Sequence, residues 1–366
     1  MKNKNKNKKN FNIVLLIPRP DGGGAEFLVR QLGNYLFNKK FDIKIIYFHN
    51  PLKINLKSYE YNLDLSGPRD IRAIWYLRKK LSSIIIKNKI TIIHAHLTYP
   101  LYFLPISTLG LKTINFYTEH NTFNKRRRFK LLKIIEKYIY SHYEKIICIS
   151  NGTKKSLVNW LDIAATNKKI AVIPNGSRLF NYVTRKKINP KKLKIVSIGS
   201  LTDQKGFDIA IKSIALIKNH IEKYTIVGEG EQKEKLINLA NKLGVRKKIL
   251  FAGYKNNIKS YLSKSDLGLI PSRWEGFGLV SIEMLSTGLP LICSNVSGLR
   301  EIVGGCKSVR LVKVNNSYLL SKKIKSFTNY LALNHYKQTS IDAARYSKKF
   351  NLKKFFIQHL KLYSSS

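Results

Sequence analysis

Two glutamates with seven residues between them, Glu275 and Glu283, stand in the run Pro271-Ser272-Arg273-Trp274-Glu275-Gly276-Phe277-Gly278-Leu279-Val280-Ser281-Ile282-Glu283. Carboxylates in so apolar a stretch need partners, because burying an unpaired charge is costly. The pattern puts Glu275 in a loop and Glu283 in a helix, with Gly276 and Gly278 exposing main-chain N–H groups between them. Acceptors for vicinal hydroxyls beside a set of amide donors are the complement that holding a sugar nucleotide requires. A second run, Gly199-Ser200-Leu201-Thr202-Asp203-Gln204-Lys205-Gly206, leads into a helix. A lysine beside glycines at a helix start can neutralise a diphosphate, although in so lysine-rich a chain an ordinary surface lysine fits equally well.

Two further places carry polar groups at the ends of apolar runs. Asp21-Gly22-Gly23-Gly24-Ala25-Glu26 could bring backbone amides to an anion at a helix N-terminus, or could merely connect a strand to a helix. Its consecutive glycines do not have the G-x-G-x-x-G spacing of a dinucleotide fold. Thr118-Glu119-His120-Asn121 offers His120 to a sugar hydroxyl, or as a plain polar loop residue. His94 and His96 end another apolar run, and their alternate spacing is expected to send them to opposite faces, against a shared metal site.

The elements that must position these residues read as short Ile- and Val-rich strands alternating with longer amphipathic helices, the pattern of parallel sheets with crossover helices. Strands are expected at 12–18, 43–48, 90–94, 113–118, 145–149 and 170–173, then at 193–198, 223–227, 249–252, 267–271 and 289–294. The restart after a basic stretch at 181–192 implies an α/β fold of two doubly wound domains, 1–185 and 186–346, with a last helix over 347–363 within the segment 347–366. At 366 residues the chain is long for one core and suited to two.

The net charge of +46 suggests a polyanionic partner, nucleic acid or an anionic membrane surface. The excess of Lys and Arg is spread along the chain with abundant Asn and Ile, which points to compositional bias, with membrane attraction as a consequence. Cys148, Cys293 and Cys306 lack C-x-x-C spacing and read as reduced structural thiols of a cytoplasmic protein. Residues 1–10 read as a solvated basic tail, and the apolar stretch 99–117, broken by Pro100, Pro105, Gly110 and Lys112, as a helix followed by a buried strand rather than a membrane span. Asn124-Lys125-Arg126-Arg127-Arg128-Phe129-Lys130, followed by Leu131, Leu132, Ile134, Ile135, Tyr138 and Ile139, has helical spacing. It is either a core-facing helix with a solvated basic face or a monotopic membrane contact.

In order and spacing, the Gly-rich turn, the His120 loop, Val172-Ile173-Pro174-Asn175-Gly176, the Gly-x-Leu-x-x-x-Lys-Gly turn, Ile226-Val227-Gly228-Glu229-Gly230 and the Glu-x7-Glu element resemble the retaining glycosyltransferases of family 4, across nearly the whole chain. The resemblance implies the GT-B fold, two Rossmann-like domains facing across a cleft, acceptor-binding first and donor-binding second, with the last helix returning to the N-terminal domain. It implies that Lys205 binds the donor diphosphate, Glu275 the transferred sugar and Glu283 the ribose. The backbone at Phe277, Gly278 and Leu279 would meet sugar and phosphate, Gly23 and Gly24 would close over the phosphate, and His120 would face the sugar. In the donor turn this chain has Ser200 where the family usually has Arg, so another cation would have to assist Lys205.

The implied activity is retaining transfer of a hexose or N-acetylhexosamine from a nucleoside-diphosphate sugar, UDP-sugar by family frequency. The acceptor would be a lipid-linked saccharide or a growing surface polysaccharide such as capsule or O-antigen. No cofactor or metal is expected, since no Asp-x-Asp pair lies near the site and Lys205, helix N-termini and glycine amides can carry the charge. A cytoplasmic location follows, peripheral on the inner membrane face if the basic-apolar helix binds lipid. The alternatives are a UDP-sugar epimerase or hydrolase of the same fold and a basic nucleic-acid-binding protein, the latter without any nucleic-acid motif.

Overall fold

The computed structural model describes residues 11–85, 90–185 and 187–365; the basic tail read at 1–10 lies outside them. In chain order the first half forms β1 (Phe11–Ile17), α1 (Gly24–Asn38), β2 (Asp42–Tyr47), β3 (Glu60–Asn62), α2 (Ala73–Ile84), β4 (Ile90–His96), α3 (Thr98–Ser107), β5 (Thr113–Glu119), α4 (Leu131–Ser141), β6 (Lys145–Cys148), α5 (Asn151–Leu161) and β7 (Ile170–Val172). The second half forms β8 (Leu193–Ile198), α6 (Phe207–Leu216), β9 (Ile221–Val227), α7 (Lys233–Lys242), β10 (Ile249–Gly253), α8 (Lys259–Ser263), β11 (Leu267–Ile270), α9 (Leu279–Ser286), β12 (Leu291–Ser294), α10 (Ser297–Val303), β13 (Val309–Val312), α11 (Ser317–Tyr330), α12 (Tyr336–Ser347) and α13 (Leu352–Ser364). These strands make two all-parallel sheets, ordered β3-β2-β1-β4-β5-β6-β7 and β10-β9-β8-β11-β12-β13.

All of β1 is buried, which is why it reads as an unbroken apolar run from Ile13 onward: a parallel sheet is covered by helices on both faces. The strand order reverses between β1 and β4 in the first sheet and between β8 and β11 in the second. Loops leaving the carboxyl ends of those strands diverge and open a crevice, the usual ligand position of such sheets. Each sheet has its own core, with Leu16, Ile93, Tyr117 and Leu157 in one and Ile195, Leu269, Ile292 and Phe327 in the other. All three cysteines are buried and free. Among the described residues no helix is long and apolar enough to cross a membrane, and the stretch 99–117 forms α3 and most of β5.

The chain divides into two compact units, Met1–Asn175 with Lys353–Ser366, and Gly176–Leu352. This differs from the boundaries at 185/186 and 346/347 because residues 177–185 are strapped along the second unit. The Ser177 amide donates to Phe350 O at 2.7 Å, the Phe180 amide to Ser286 Oγ at 2.9 Å and the Val183 amide to Thr287 O at 3.1 Å. Arg185 donates to the carbonyls of Ser265 and Leu262. At the other end α12 runs on to Ser347 and α13 starts only at Leu352, after a single turn at Lys348–Phe350. The last helix returns to the first unit, where Phe356 stacks on Tyr35 and Tyr363 meets His94.

Candidate active site

In the second unit, β8 ends at Ile198 and feeds the Lys205 turn, while β11 ends at Ile270 and feeds the Glu275 loop. These are the two strands that flank the reversal of strand order, so the fold brings the two motifs together although 70 residues separate Lys205 from Glu275. Lys205 Nζ lies 2.6 Å from Glu275 Oε1, which also accepts from the Ser272 hydroxyl at 2.9 Å. Both side chains are largely shielded, 23% and 8% exposed, so the pair works in a medium that screens charge poorly.

The two loops are stitched together by backbone as well. The Arg273 amide donates to Gln204 O at 2.8 Å, and Gln204 Nε2 donates to Trp274 O at 3.1 Å. The Arg273 guanidinium grips Asp208 through both nitrogens at 3.0 and 2.9 Å. Gly206, at φ +64, lets the lysine turn touch the Glu275 loop: a Cβ there would stand 2.2 Å from the Pro271 carbonyl oxygen. Gly278, at φ +80, caps α9, so the amides that follow, from Leu279 on, begin a helix N-terminus with its partial positive charge. Phe277 is buried, its ring set edge-on against Phe350. Ser200 is exposed beside the turn.

Glu283 sits one turn along α9 and accepts from Arg178 Nη2 at 3.1 Å. Burial pushes its carboxyl up and Arg178 pulls it down. Nothing in the sequence marks Arg178, one of 67 lysines and arginines. The structure thus gathers Lys205, Ser200, Glu275, Phe277, Gly278, Leu279 and Glu283 in one unit and leaves Gly23, Gly24 and His120 in the other.

In the first unit, Gly23 caps α1 and its amide donates to Glu26 Oε2 at 2.9 Å, so a carboxylate of the same turn holds that group. His120 follows β5, with Nε2 3.2 Å from His96 Nδ1. The expectation that His94 and His96 face opposite sides is wrong: residues two apart on a strand share a face, and the rings lie 4.1 Å apart. His94 bonds Thr118 Oγ1 at 2.7 Å and Tyr363 Oη at 2.6 Å, and its ring stacks on His359. Burial, the largest cause, holds all four imidazoles neutral, His120 down to about 3 and His359 to about 4, with His94 and His96 well below the usual 6.5. With Nε2 engaged by His96, neutral His120 has Nδ1 left to donate or accept one hydrogen bond, according to its tautomer.

The His120 loop is held by buried ion pairs that also pin the basic stretch. Glu119 accepts from Arg127 Nη2 at 2.7 Å, from Tyr140 at 2.9 Å and from the Asn121 amide at 3.3 Å. Glu136 of α4 is fully buried and takes Arg126, Tyr102 and the Trp160 indole N–H. Two of the three arginines therefore point inward, and α4 is turned over. Its carboxylate faces the core while Leu131, Ile134, Ile135 and Tyr138, with Phe129 just before them, face outward. Leu132 and Ile139 are half-buried and Tyr140 is buried, Ile139 and Tyr140 against the core, so the core-facing reading holds for that side of the helix and fails for Leu131, Ile134, Ile135 and Tyr138.

Comparison with known proteins places this geometry. Residues 22–178 match the description "Glycosyltransferase Family 4" and residues 181–340 match "Glycosyl transferases group 1". The chain is 28% identical over 322 residues, 83% of its length and 86% of the other, to the N-acetylgalactosamine-N,N'-diacetylbacillosaminyl-diphospho-undecaprenol 4-alpha-N-acetylgalactosaminyltransferase of Campylobacter jejuni. It is 29% identical over 291 residues, 73% of its length and 71% of the other, to the UDP-Gal:alpha-D-GlcNAc-diphosphoundecaprenol alpha-1,3-galactosyltransferase of Escherichia coli. In fold it superposes with a TM-score of 0.80 and 17% identity on Anabaena Alr3699/HepE in complex with UDP-glucose, over 97% of this chain and all of that one.

Proposed function

Because this chain is a glycosyltransferase of family 4, with the group 1 donor half and the GT-B architecture of two Rossmann-like units, we propose the following reaction. It transfers a hexose or N-acetylhexosamine from a UDP-sugar to a lipid-linked saccharide of a surface polysaccharide pathway, with retention and without a metal ion. The observation that carries this reading is the Lys205–Glu275 pair where the β8 and β11 loops converge. Breaking the anomeric C–O bond leaves positive character on the sugar and extra negative charge on the diphosphate. The Lys205 ammonium and the amides opening α9 stabilise the second, and Glu275 holds the sugar's hydroxyls. Retention follows if the departing phosphate takes the proton of an acceptor hydroxyl attacking from the same face.

The acceptors in the two relatives' names are carried on diphospho-undecaprenol, which supports a membrane-borne acceptor here. The outward apolar face of α4, edged by Lys130, Lys133 and Lys137, supplies the contact with an anionic lipid surface. The test is incubation with UDP-sugars and a diphospho-undecaprenol saccharide in excess EDTA. UDP release that requires the acceptor is expected. A free epimer or acceptor-independent hydrolysis would favour another sugar-nucleotide chemistry, and activity restored only by Mg²⁺ or Mn²⁺ would end the metal-free scheme.

A further inference from the structure

Arg178 lies on the strap that follows the unit boundary. The strap tracks α9 from its first turn to its last: the Ser177 hydroxyl donates to Leu279 O at 3.4 Å, Arg178 reaches Glu283, Phe180 binds Ser286 and Val183 binds Thr287. Arg178 Nη2 stands 3.1 Å from Glu283 Oε1, with the guanidinium 4.8 Å over the Phe180 ring. The Glu283 side chain is 12% exposed against 40% for Arg178, so the carboxyl is the desolvated partner and the cation is brought to it from the rim.

A carboxylate offers two acceptor oxygens, whereas a carboxylic acid gives up one of them as an O–H donor. Vicinal hydroxyls bound through their own donors therefore require the ionised form. Burial disfavours the ionised form, so a glutamate in such a site holds its proton to higher pH than a solvated one. Burial does push Glu283 upward, and Arg178 is the charged group that opposes it. The elements packed most closely on α9 are α10, α12 and β12, and Arg178 is the charged group that acts on Glu283.

We propose that Arg178 keeps Glu283 ionised so that both its oxygens accept the ribose hydroxyls, which makes Arg178 a positioning residue for nucleotide recognition. This rests on Glu283 being the ribose ligand of the donor site. It also gives the strap a role in substrate selection, since the residue that conditions α9 comes from outside the Glu-x7-Glu element.

The experiment is calorimetric titration of UDP and 2′,3′-dideoxy-UDP into the full chain and its Arg178→Ala and Arg178→Lys variants, from pH 6 to pH 9. The wild type is expected to favour UDP by about tenfold or more throughout, the worth of hydrogen bonds to a charged acceptor. Arg178→Ala should bind the dideoxy nucleotide as the wild type does and show a smaller preference for UDP, one that grows as the pH rises. Arg178→Lys should keep most of the preference. A preference in Arg178→Ala that matches the wild type at every pH, or equal weakening toward both nucleotides, overturns the proposal while leaving Glu283 as ribose ligand. A wild type that binds UDP and its dideoxy form alike removes Glu283 from the ribose and the proposal with it.

Discussion

Replacing Leu131, Ile134, Ile135 and Tyr138 together by glutamine tests the orientation of α4. In the structure these side chains are 79%, 71%, 50% and 68% exposed, so between them they offer roughly two and a half whole apolar side chains to an interface. Full burial of such a side chain is worth about 1.5 to 3 kcal/mol, and a helix lying in the headgroup boundary buries about half of it. The substitution should therefore weaken lipid partitioning by about 2 to 4 kcal/mol, roughly 30- to 900-fold. Flotation on vesicles with 30% anionic lipid reads this directly, with neutral vesicles isolating the share of Lys130, Lys133 and Lys137. Fold stability should hardly move, because exposed substitutions by a good helix former change it by about 0.5 kcal/mol or less each. If the quadruple variant floats like the wild type, the face is not a lipid contact. If it unfolds instead, the outward orientation of α4 is wrong.

Two further outcomes follow from the sites. Lys205→Ala and Glu275→Ala should each lose at least about 100-fold in transfer while remaining folded, since each removes a group placed for the transition state; unchanged turnover in a folded variant would remove that residue from the mechanism. Acid should destabilise the first unit through its histidines. Their folded values lie below 6.5, so the unfolded chain binds more protons beneath that pH; the contribution is complete above pH 6.5 and is lost as pH falls toward about 4 for His359 and about 3 for His120. Denaturant unfolding at pH 7 and pH 5 should differ by about 1 to 2 kcal/mol per histidine, and His359→Gln should shrink the difference; equal stability at the two pH values would contradict the buried cluster.

Much of the fold was legible because parallel strands covered on both faces write themselves as apolar runs, as at 193–198, where the expected and observed strands coincide. Two of the four edge strands, β3 and β13, escaped for the complementary reason: Glu60–Asn62 is three residues of Glu, Tyr and Asn, and Val309–Val312 carries Arg310 in its middle. Lys205 and Glu275 could be found because each follows a strand in a glycine-marked turn, yet their direct pairing depends on strand order, which no local pattern encodes. Helical periodicity shows that α4 has an apolar side but not which way that side faces. Glu136 decides it, and only because Arg126, Tyr102 and Trp160 arrive from other segments. Likewise His94 and His96 come from the end of β4, His120 from the loop after β5 and His359 from the last helix, and the full cluster appears only when that helix returns.

The central claim is that an ammonium group and helix-terminal amides, rather than a metal ion, hold the nucleotide's diphosphate. Titrating UDP into the chain in excess EDTA, beside Lys205→Ala, measures it. Binding should persist without metal and weaken at least about tenfold in the variant, the worth of one charge-assisted contact. Binding that appears only when Mg²⁺ or Mn²⁺ is added, or that is the same with and without the lysine, would contradict it.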